Sequence, residues 1–167
     1  MNKKLHILFL SGWYPSKEFP TNGDFIQRHA EALSTKHQMS VVHIVSTKNN
    51  SILGIDKKKT NSLNTYLGYV KYTDNQFLKF FRFIKMFYKI KKEIGSYDLI
   101  HLNILYPFGI IALIQKVLKS KPYIISEHWT GYHKPQIDTT SSIEKHLSKI
   151  IAKKATFLCP LSNHLAI

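Results

Sequence analysis

Glu127, His128 and Trp129 are the residues of this sequence best placed to do chemistry. They follow residues 121–126, an apolar run (KPYIIS) that predicts a buried strand. An imidazole there can donate a hydrogen bond to charge that develops on a substrate, or move a proton near neutral pH. The alternative is a histidine bonded to a loop carbonyl. We predict catalytic roles for His128 and for Glu127, which could orient the ring or bind a hydroxyl. Adjacent strand residues point to opposite sides, so both enter one site only where the backbone turns.

His101 and Asn103 form a second candidate pair, at the end of the sequence YDLIHLN. Residues two apart on a strand point to the same face. They suit recognition of substrate hydroxyls, and packing of a loop is the open alternative. The histidines show neither the HxH nor the HExxH spacing of a metal site, so we predict no metal. Six other histidines are assigned structural or solvated roles: His6, His37, His43, His133, His146 and His164.

The strand, loop and helix of residues 5–33 are the elements around which the chain is organised. The nearly continuous apolar run 5–10 predicts a central strand covered on both faces. Apolar residues then return at helical spacing over residues 25–33. We predict that Asp24 is the N-cap of this helix and that Gly23 allows the sharp turn before it. The free N–H groups and positive dipole end of the helix would favour a phosphate.

The loop between this strand and helix, SGWYPSKEFPTNG, does not fit a dinucleotide-binding site. Such a site needs GxGxxG in a short turn, so that the backbone can touch pyrophosphate. This loop is longer, with Trp13, Tyr14 and two prolines ahead of the glycine that precedes the helix. We interpret it as a lid over an acceptor.

Further strands and helices alternate along the rest of the chain. The polar stretch 47–65 is predicted to be a mobile surface connection. The remaining predicted elements are strands at residues 39–46, 66–72, 97–103, 121–126 and 155–160 and helices at 77–94, 108–118 and 142–154.

This alternation predicts an α/β fold: a doubly wound parallel sheet of the Rossmann type. Ligands of such sheets bind outside the carboxyl ends of the strands. Function is therefore expected at residues 11–24, 101–107 and 127–132 and at Ser162.

The segment FLKFFRFIKMFYKIKKEI, residues 77–94, is unusual in combining aromatic and basic residues. One interpretation is a helix that covers the sheet and exposes a basic face. The other is an interfacial helix that settles into anionic lipid headgroups, because its apolar surface is broader than one sheet contact needs. No RNA- or DNA-binding motif accompanies it. The basic residues that fall on one helical stripe are Lys79, Arg82, Lys85, Lys89 and Lys92.

The composition limits the class of protein. The 167 residues are 44% hydrophobic and 13% aromatic, which is enough for one domain with a core. A net charge of +14 predicts an anionic partner: a phosphate-rich small molecule, an acidic membrane surface or nucleic acid. The single cysteine, Cys159, excludes a disulfide framework and favours an intracellular location. No apolar segment approaches the roughly 20 residues of a spanning helix, so we expect neither a secreted nor an integral membrane protein.

Four segments, taken in order, resemble the N-terminal domain of family 4 glycosyltransferases of the GT-B fold. They are SGWYPSKEFPTNGDFIQRHAEAL, YDLIHLN, IISEHWTGY and ATFLCPLSNHL, and the resemblance covers essentially the whole chain. The family includes bacterial capsule, lipopolysaccharide and exopolysaccharide transferases. The resemblance implies retaining transfer of a sugar from a nucleotide-sugar to a hydroxyl acceptor, in a cleft between two similar domains and usually without a bound metal.

The resemblance also assigns roles to individual residues. The family's glycine turn before the first helix, which approaches donor phosphates or acceptor, corresponds here to Gly23 and Asp24. Many members have paired glycines where this chain has Asn22 and Gly23. The family's histidine that contacts the transferred sugar corresponds to His128. The other predicted substrate-binding residues are Tyr14, Arg28, His101, Asn103, Trp129 and Ser162.

The resemblance implies that residues 1–167 are the acceptor-side half of such an enzyme, with the nucleotide-sugar domain outside this chain. The expected partners are a nucleotide-sugar and a glycan or lipid-linked acceptor, with an anionic membrane surface as a further option through residues 77–94. We expect no cofactor and no nucleic acid, and a cytoplasmic location that could be peripheral at the membrane. Two other classes stay open: a non-catalytic basic module that binds membrane or nucleic acid, and an oxidoreductase, against which the missing glycine fingerprint argues.

Overall fold

Strands and helices alternate along the chain. The computed structural model describes residues 3–128 and 136–160. A short 3-10 turn at Asn50–Ile52 precedes β3. The elements are, in order, β1 (His6–Ser11), α1 (Asp24–Ser34), β2 (Gln38–Thr47), β3 (Gly54–Thr60), β4 (Leu63–Lys71), α2 (Gln76–Ile94), β5 (Leu99–Asn103), α3 (Gly109–Lys119), β6 (Tyr123–Glu127), α4 (Gln136–Thr139), α5 (Ser142–Lys154) and β7 (Phe157–Pro160).

The described strands form one sheet in the order β3-β4-β2-β1-β5-β6-β7. Every neighbouring pair is parallel except β3 and β4. β1 therefore lies at the centre, as its continuous apolar sequence predicts. The chain builds the sheet outward from β1 on one side, then returns to place β5 on the other side of β1. The strand order thus reverses between β1 and β5.

Alternate residues of the strands face two separate cores. On one face, Phe9 of β1 packs with Ile26 and Ala30 of α1. On the other face, Leu8 and Leu10 belong to a larger core that includes residues of α2, α3 and α5. Helices therefore cover both faces, and the predicted α/β doubly wound sheet is confirmed. No helix among the described residues is long and apolar enough to cross a membrane.

Residues 47–65 are not the surface connection that their polar sequence predicts. They contain β3 and the start of β4, which form an antiparallel hairpin. The turn between these strands places Asn61 at φ 48°, a left-handed conformation that Asn tolerates. Lys57, Lys58 and Lys59 occupy β3, which is an edge strand. An edge strand needs little apolar burial, and its lysines discourage pairing with further chains.

Candidate functional site

The reversal of strand order between β1 and β5 brings two predicted segments together. Ser11 and Asn103 lie side by side at the carboxyl ends of these strands. The Gly12 N–H donates to the Asn103 carbonyl oxygen at 3.1 Å, which joins the two following loops. In doubly wound sheets the ligand binds in the crevice at this reversal. The candidate site is therefore built around these strand ends.

Asn103 is fully buried at 0% exposure. Neither the oxygen nor the nitrogen of its side-chain amide has a hydrogen-bond partner among the described residues. Burial of an amide without partners costs free energy, so native proteins keep few such groups. This arrangement suits a side chain that binds substrate hydroxyls, which stays the prediction for Asn103.

His101 and His128 converge near the first turns of α1. The His101 Nε2 lies 2.8 Å from the Ser126 hydroxyl oxygen, and its ring packs edge-on against Phe9. The His128 ring centroid lies 5.0 Å from that of Phe25 and 5.7 Å from that of His29. Two strand ends and the start of one helix therefore surround these imidazoles.

The imidazoles of His101 and His128 are neutral at pH 7. Burial, followed by electrostatic repulsion from His29, lowers the pKa of each ring to about 4. A neutral imidazole has one N–H donor and one lone pair. The His128 Nε2 is buried without a partner among the described residues. A substrate group that reached this nitrogen would form a hydrogen bond with it, in a direction set by the tautomer.

Glu127 binds two backbone amides at the end of β6. Its Oε2 accepts from the Leu105 N–H at 2.8 Å, and its Oε1 accepts from the His128 N–H at 2.9 Å. These bonds tie the loop after β5 to β6 and fix the backbone from which His128 projects. The contacts give Glu127 a positioning role, and the catalytic role predicted for it stays a prediction.

Gly23 makes the turn into α1, as predicted, for two physical reasons. Its φ is +72°, which favours glycine, and a Cβ there would lie 2.7 Å from the Trp13 carbonyl carbon. The prediction that Asp24 is the N-cap is wrong. Gly23 occupies the cap position, no side chain caps the helix, and Asp24 is the first helical residue. The Asp24 carboxylate instead accepts from Arg28 at 3.1 Å on the exposed surface of α1.

The loop between β1 and α1 is bonded to the sheet. The Lys17 N–H donates to the Tyr69 hydroxyl at 3.0 Å, and the Lys17 ammonium pairs with Asp56 at 2.6 Å. The Thr47 hydroxyl donates to the Glu18 carboxylate. In this structure the loop is thus bonded to β2, β3 and β4, and its interpretation as a lid over an acceptor stays a prediction.

Tyr14 lies inside the protein on the α1 side of the sheet. It is 4% exposed, and burial raises the pKa of its hydroxyl. It lines a cavity of about 560 Å³ between α1 and the β3–β4 hairpin. Its ring centroid lies 6.5 Å from that of His43. Substrate binding by Tyr14 stays a prediction, and it would concern this side of the molecule.

A larger cavity of about 680 Å³, which we call the strand-end cavity, opens beyond the carboxyl ends of β1 and β2. Its described lining includes parts of the predicted segments 11–24 and 101–107 but none of the individually predicted site residues, and Asn103, His101 and His128 all lie outside it. The residues that give it charge and aromatic surface include Glu18, Phe19, Lys48, Tyr72, Lys79, Phe83 and Phe108.

His43 also lines the strand-end cavity, although its sequence suggested a structural role. The ring is 2% exposed, and its Nδ1 lies 3.0 Å from the Ser11 carbonyl oxygen. A carbonyl can only accept, so Nδ1 carries the proton and Nε2 presents a lone pair. That Nε2 is buried and has no partner among the described residues. Burial lowers the pKa of this imidazole, which keeps it neutral. A histidine inside the apolar run MSVVHIVS was the sequence signal that could have identified it.

The basic stripe predicted on α2 is divided in the structure. The Arg82 guanidinium donates to the Lys71 and Tyr72 carbonyl oxygens, at 2.7 and 3.1 Å, and so closes the end of β4. Lys79 lies beside the Phe83 ring and lines the strand-end cavity. The remaining members of the stripe are exposed: Lys85, Lys89 and Lys92.

Two predicted site residues, Trp129 and Ser162, lie outside the described residues. Within residues 3–128 and 136–160, no group of three or more side chains is arranged to hold a metal ion. The structure therefore brings Asn103, His101 and His128 to one edge of the sheet, with Gly23 starting the helix that His128 contacts.

The fold is shared with glycosyltransferases of known structure. Sucrose-phosphate synthase from Thermosynechococcus elongatus matches 93% of this chain with a TM-score of 0.64 at 13% sequence identity. A trehalose-6-phosphate structure from E. coli, bound with UDP-2-fluoro glucose, matches 96% with a TM-score of 0.58 at 10% identity. Both neighbours are glycosyltransferases of the GT-B fold. The chain spans 42% and 41% of their lengths. No protein-family model matches the sequence, and no curated protein matches it significantly.

Proposed function

We propose that this chain is the acceptor-side half of a retaining glycosyltransferase of family 4 type. The whole enzyme would transfer a hexose from a nucleotide-sugar to a hydroxyl acceptor, in the synthesis of a bacterial surface polysaccharide. The domain that binds the nucleotide would lie outside this chain. The enzyme would need no cofactor besides the nucleotide-sugar substrate.

One observation carries the proposal. Four of the six buried side-chain atoms without partners among the described residues lie toward the carboxyl ends of the strands, in a sheet whose fold is that of two glycosyltransferases. These four are the two polar atoms of the Asn103 amide and the Nε2 atoms of His43 and His128, whereas the other two, Asn64 Oδ1 and Ser148 Oγ, lie at the amino end of β4 and in α5. A polyhydroxylated substrate offers both donors and acceptors to such groups. Fold alone would not support the activity, because one fold hosts many functions.

The charges that develop during transfer fit this arrangement. Cleavage of the bond between a sugar and a nucleotide diphosphate places negative charge on the leaving phosphate and positive charge on the sugar. The positive dipole end of α1, which begins after Gly23, would stabilise the phosphate. The neutral His128 ring would bind a sugar hydroxyl without adding repulsive positive charge beside the sugar.

We also propose that α2 holds the enzyme at an anionic membrane surface. Phe77 and Phe81 are 81% and 67% exposed, and Tyr88 continues the same helical stripe at 36%. Exposed aromatic side chains beside a row of lysines are typical of helices that lie in the interface of anionic bilayers. A glycosyltransferase placed there would meet lipid-linked acceptors.

A transfer assay tests the activity. The natural protein containing these residues, given labelled nucleotide-sugars and a lipid extract of its own cells, should transfer label to that extract. His128→Ala should lower the transfer rate by about 100-fold or more, the usual cost of one group that binds transition-state charge. The matched control is His146→Ala, an exposed histidine of α5, which should keep full activity.

The 167-residue chain alone should show no transfer, because it would lack the domain that binds the nucleotide. Turnover by this chain alone would contradict the division into two halves. Full transfer by His128→Ala would contradict the assignment of the site.

A further inference from the structure

We propose that the acceptor is an amphiphile with an anionic, hydroxyl-bearing head group and a hydrocarbon tail, and that both parts bind to this chain. The head would occupy the strand-end cavity, and the tail would occupy an apolar groove beside it. The identification of this ligand as the acceptor rests on the proposed function. Binding of an amphiphile to the chain can nevertheless be measured without any sugar transfer.

The groove lies between the first turns of α2 and the segment that leads into α3. Its volume is about 280 Å³. Phe80 and Ile84 form one wall, and Tyr106 and Ile111 form the other. A peptide would bring backbone N–H and C=O groups into these apolar walls without partners, which costs free energy. A hydrocarbon chain has no such groups, so it is the occupant that the groove favours.

The groove and the strand-end cavity share one wall. Lys79, Phe83, Pro107 and Phe108 line both. The Phe83 and Phe108 rings stack with centroids 5.8 Å apart at an interplanar angle of 30°. A ligand that passes along this stacked pair would place one end among polar groups and the other among apolar groups. The two spaces therefore form one site for an extended amphiphile.

The strand-end cavity has the charge that an anionic head group needs. Lys48 and Lys79 line it, with Nζ atoms 4.8 Å from the Tyr72 ring centroid and 5.9 Å from that of Phe83. Its carboxylate, on Glu18, already accepts the Thr47 hydroxyl. Two ammonium groups on aromatic rings then outweigh one hydrogen-bonded carboxylate, which favours a phosphate or similar anion.

Titration calorimetry with decyl phosphate, kept below its micelle concentration, tests the inference on the 167-residue chain. We expect decyl phosphate to bind more tightly than inorganic phosphate. Phe80→Gln places an amide in the groove wall and should weaken decyl phosphate binding by about ten-fold. The matched control is Phe157→Gln, since Phe157 is an exposed phenylalanine of β7 and does not line the groove.

The head group is tested in the same way with Lys48→Gln, which should weaken binding, and with Lys153→Gln on the exposed surface of α5, which should not. A decyl phosphate with a diazirine at the end of its tail provides a test without substitutions, because its crosslinks should map to α2 residues 80–84 or to residues 106–111. Equal binding of decyl phosphate and inorganic phosphate, equal losses for Phe80→Gln and Phe157→Gln, or crosslinks elsewhere would each overturn the inference. None of these outcomes depends on sugar transfer, so the proposed function is judged separately.

Discussion

The imidazole of His101 makes stability depend on pH at the scale of a single residue. Its pKa is lowered from 6.5 to about 4, first by burial and then by electrostatic repulsion from the neighbouring His29 and His128 rings. The unfolded chain therefore binds protons at a higher pH than the folded protein does. The free energy of unfolding should fall as the pH decreases from 6.5 to 4. Above pH 6.5, His101 should make no contribution to the pH dependence of stability.

Urea unfolding at several pH values measures this effect. His101→Gln keeps a polar group near Ser126 and removes the titration, so its urea midpoint should fall less between pH 6.5 and pH 4 than that of the unmodified protein. His146→Gln removes an exposed histidine and should leave the pH dependence as it is. Equal pH dependence in the unmodified protein and His101→Gln would show that burial of His101 does not have this consequence.

Replacement of Asn103 by an apolar residue should lower the rate of sugar transfer without lowering the stability of the fold. Its amide is buried without partners among the described residues, so Asn103→Leu replaces it with an apolar side chain of similar size. We expect an unchanged or higher melting temperature and transfer lowered by about ten-fold or more, because the hydroxyl contact is lost. The control is Asn64→Leu, at the amino end of β4, which should not affect transfer. Lower stability with normal transfer in Asn103→Leu would indicate a structural residue.

At the scale of elements, the buried strands were predictable and the edge hairpin was not. β1 and β2 carry continuous apolar runs because helices cover both of their faces. β3 carries consecutive lysines, since an edge strand can leave most of its side chains in water. The pairing of β3 with β4 depends on the turn between them and on the sequence of β4. The local pattern of β3 alone therefore does not predict it.

The turn from the β1–α1 loop into α1 requires a residue without a Cβ. Gly23→Ala should lower the free energy of unfolding by about 2 kcal/mol, through φ +72° and the contact with the Trp13 carbonyl. Gly23→Asn should cost a similar amount, because Asn tolerates this φ but still carries the Cβ. Asn61→Ala, in the exposed hairpin turn at φ 48°, measures the backbone effect alone and should cost about 1 kcal/mol or less. Urea unfolding that finds Gly23→Asn as stable as the unmodified protein would exclude the contact as the cause.

The exposed face of α2 should bind anionic vesicles. Each of Lys85, Lys89 and Lys92 should contribute about 1 kcal/mol to the free energy of vesicle binding. Replacement of all three by Glu should therefore weaken vesicle binding by about 100-fold or more. Replacement of Lys58, Lys59 and Lys153 by Glu makes the same charge change on other surfaces and should have a smaller effect. Sedimentation with vesicles rich in phosphatidylserine measures the vesicle binding of both triple variants. Unchanged binding after the α2 substitutions would refute the membrane proposal.

At the scale of the whole molecule, the sequence indicated the edge of the sheet but not the shape of the site. Polar residues at strand ends located His101, Asn103 and His128, because parallel strands end at one edge. The strand-end cavity and its groove depend on how α2 lies against the segment before α3, and no local pattern encodes that contact. His43 was overlooked for the same reason, since only the structure shows that its Nδ1 proton is donated to the Ser11 carbonyl.

A crystal structure of the natural protein with a bound nucleotide-sugar tests the central claim most directly. The account predicts that the sugar lies at the carboxyl ends of β1, β5 and β6, with one hydroxyl within hydrogen-bond distance of the His128 Nε2. A sugar bound away from this edge, such as in the cavity between α1 and the β3–β4 hairpin, would contradict it.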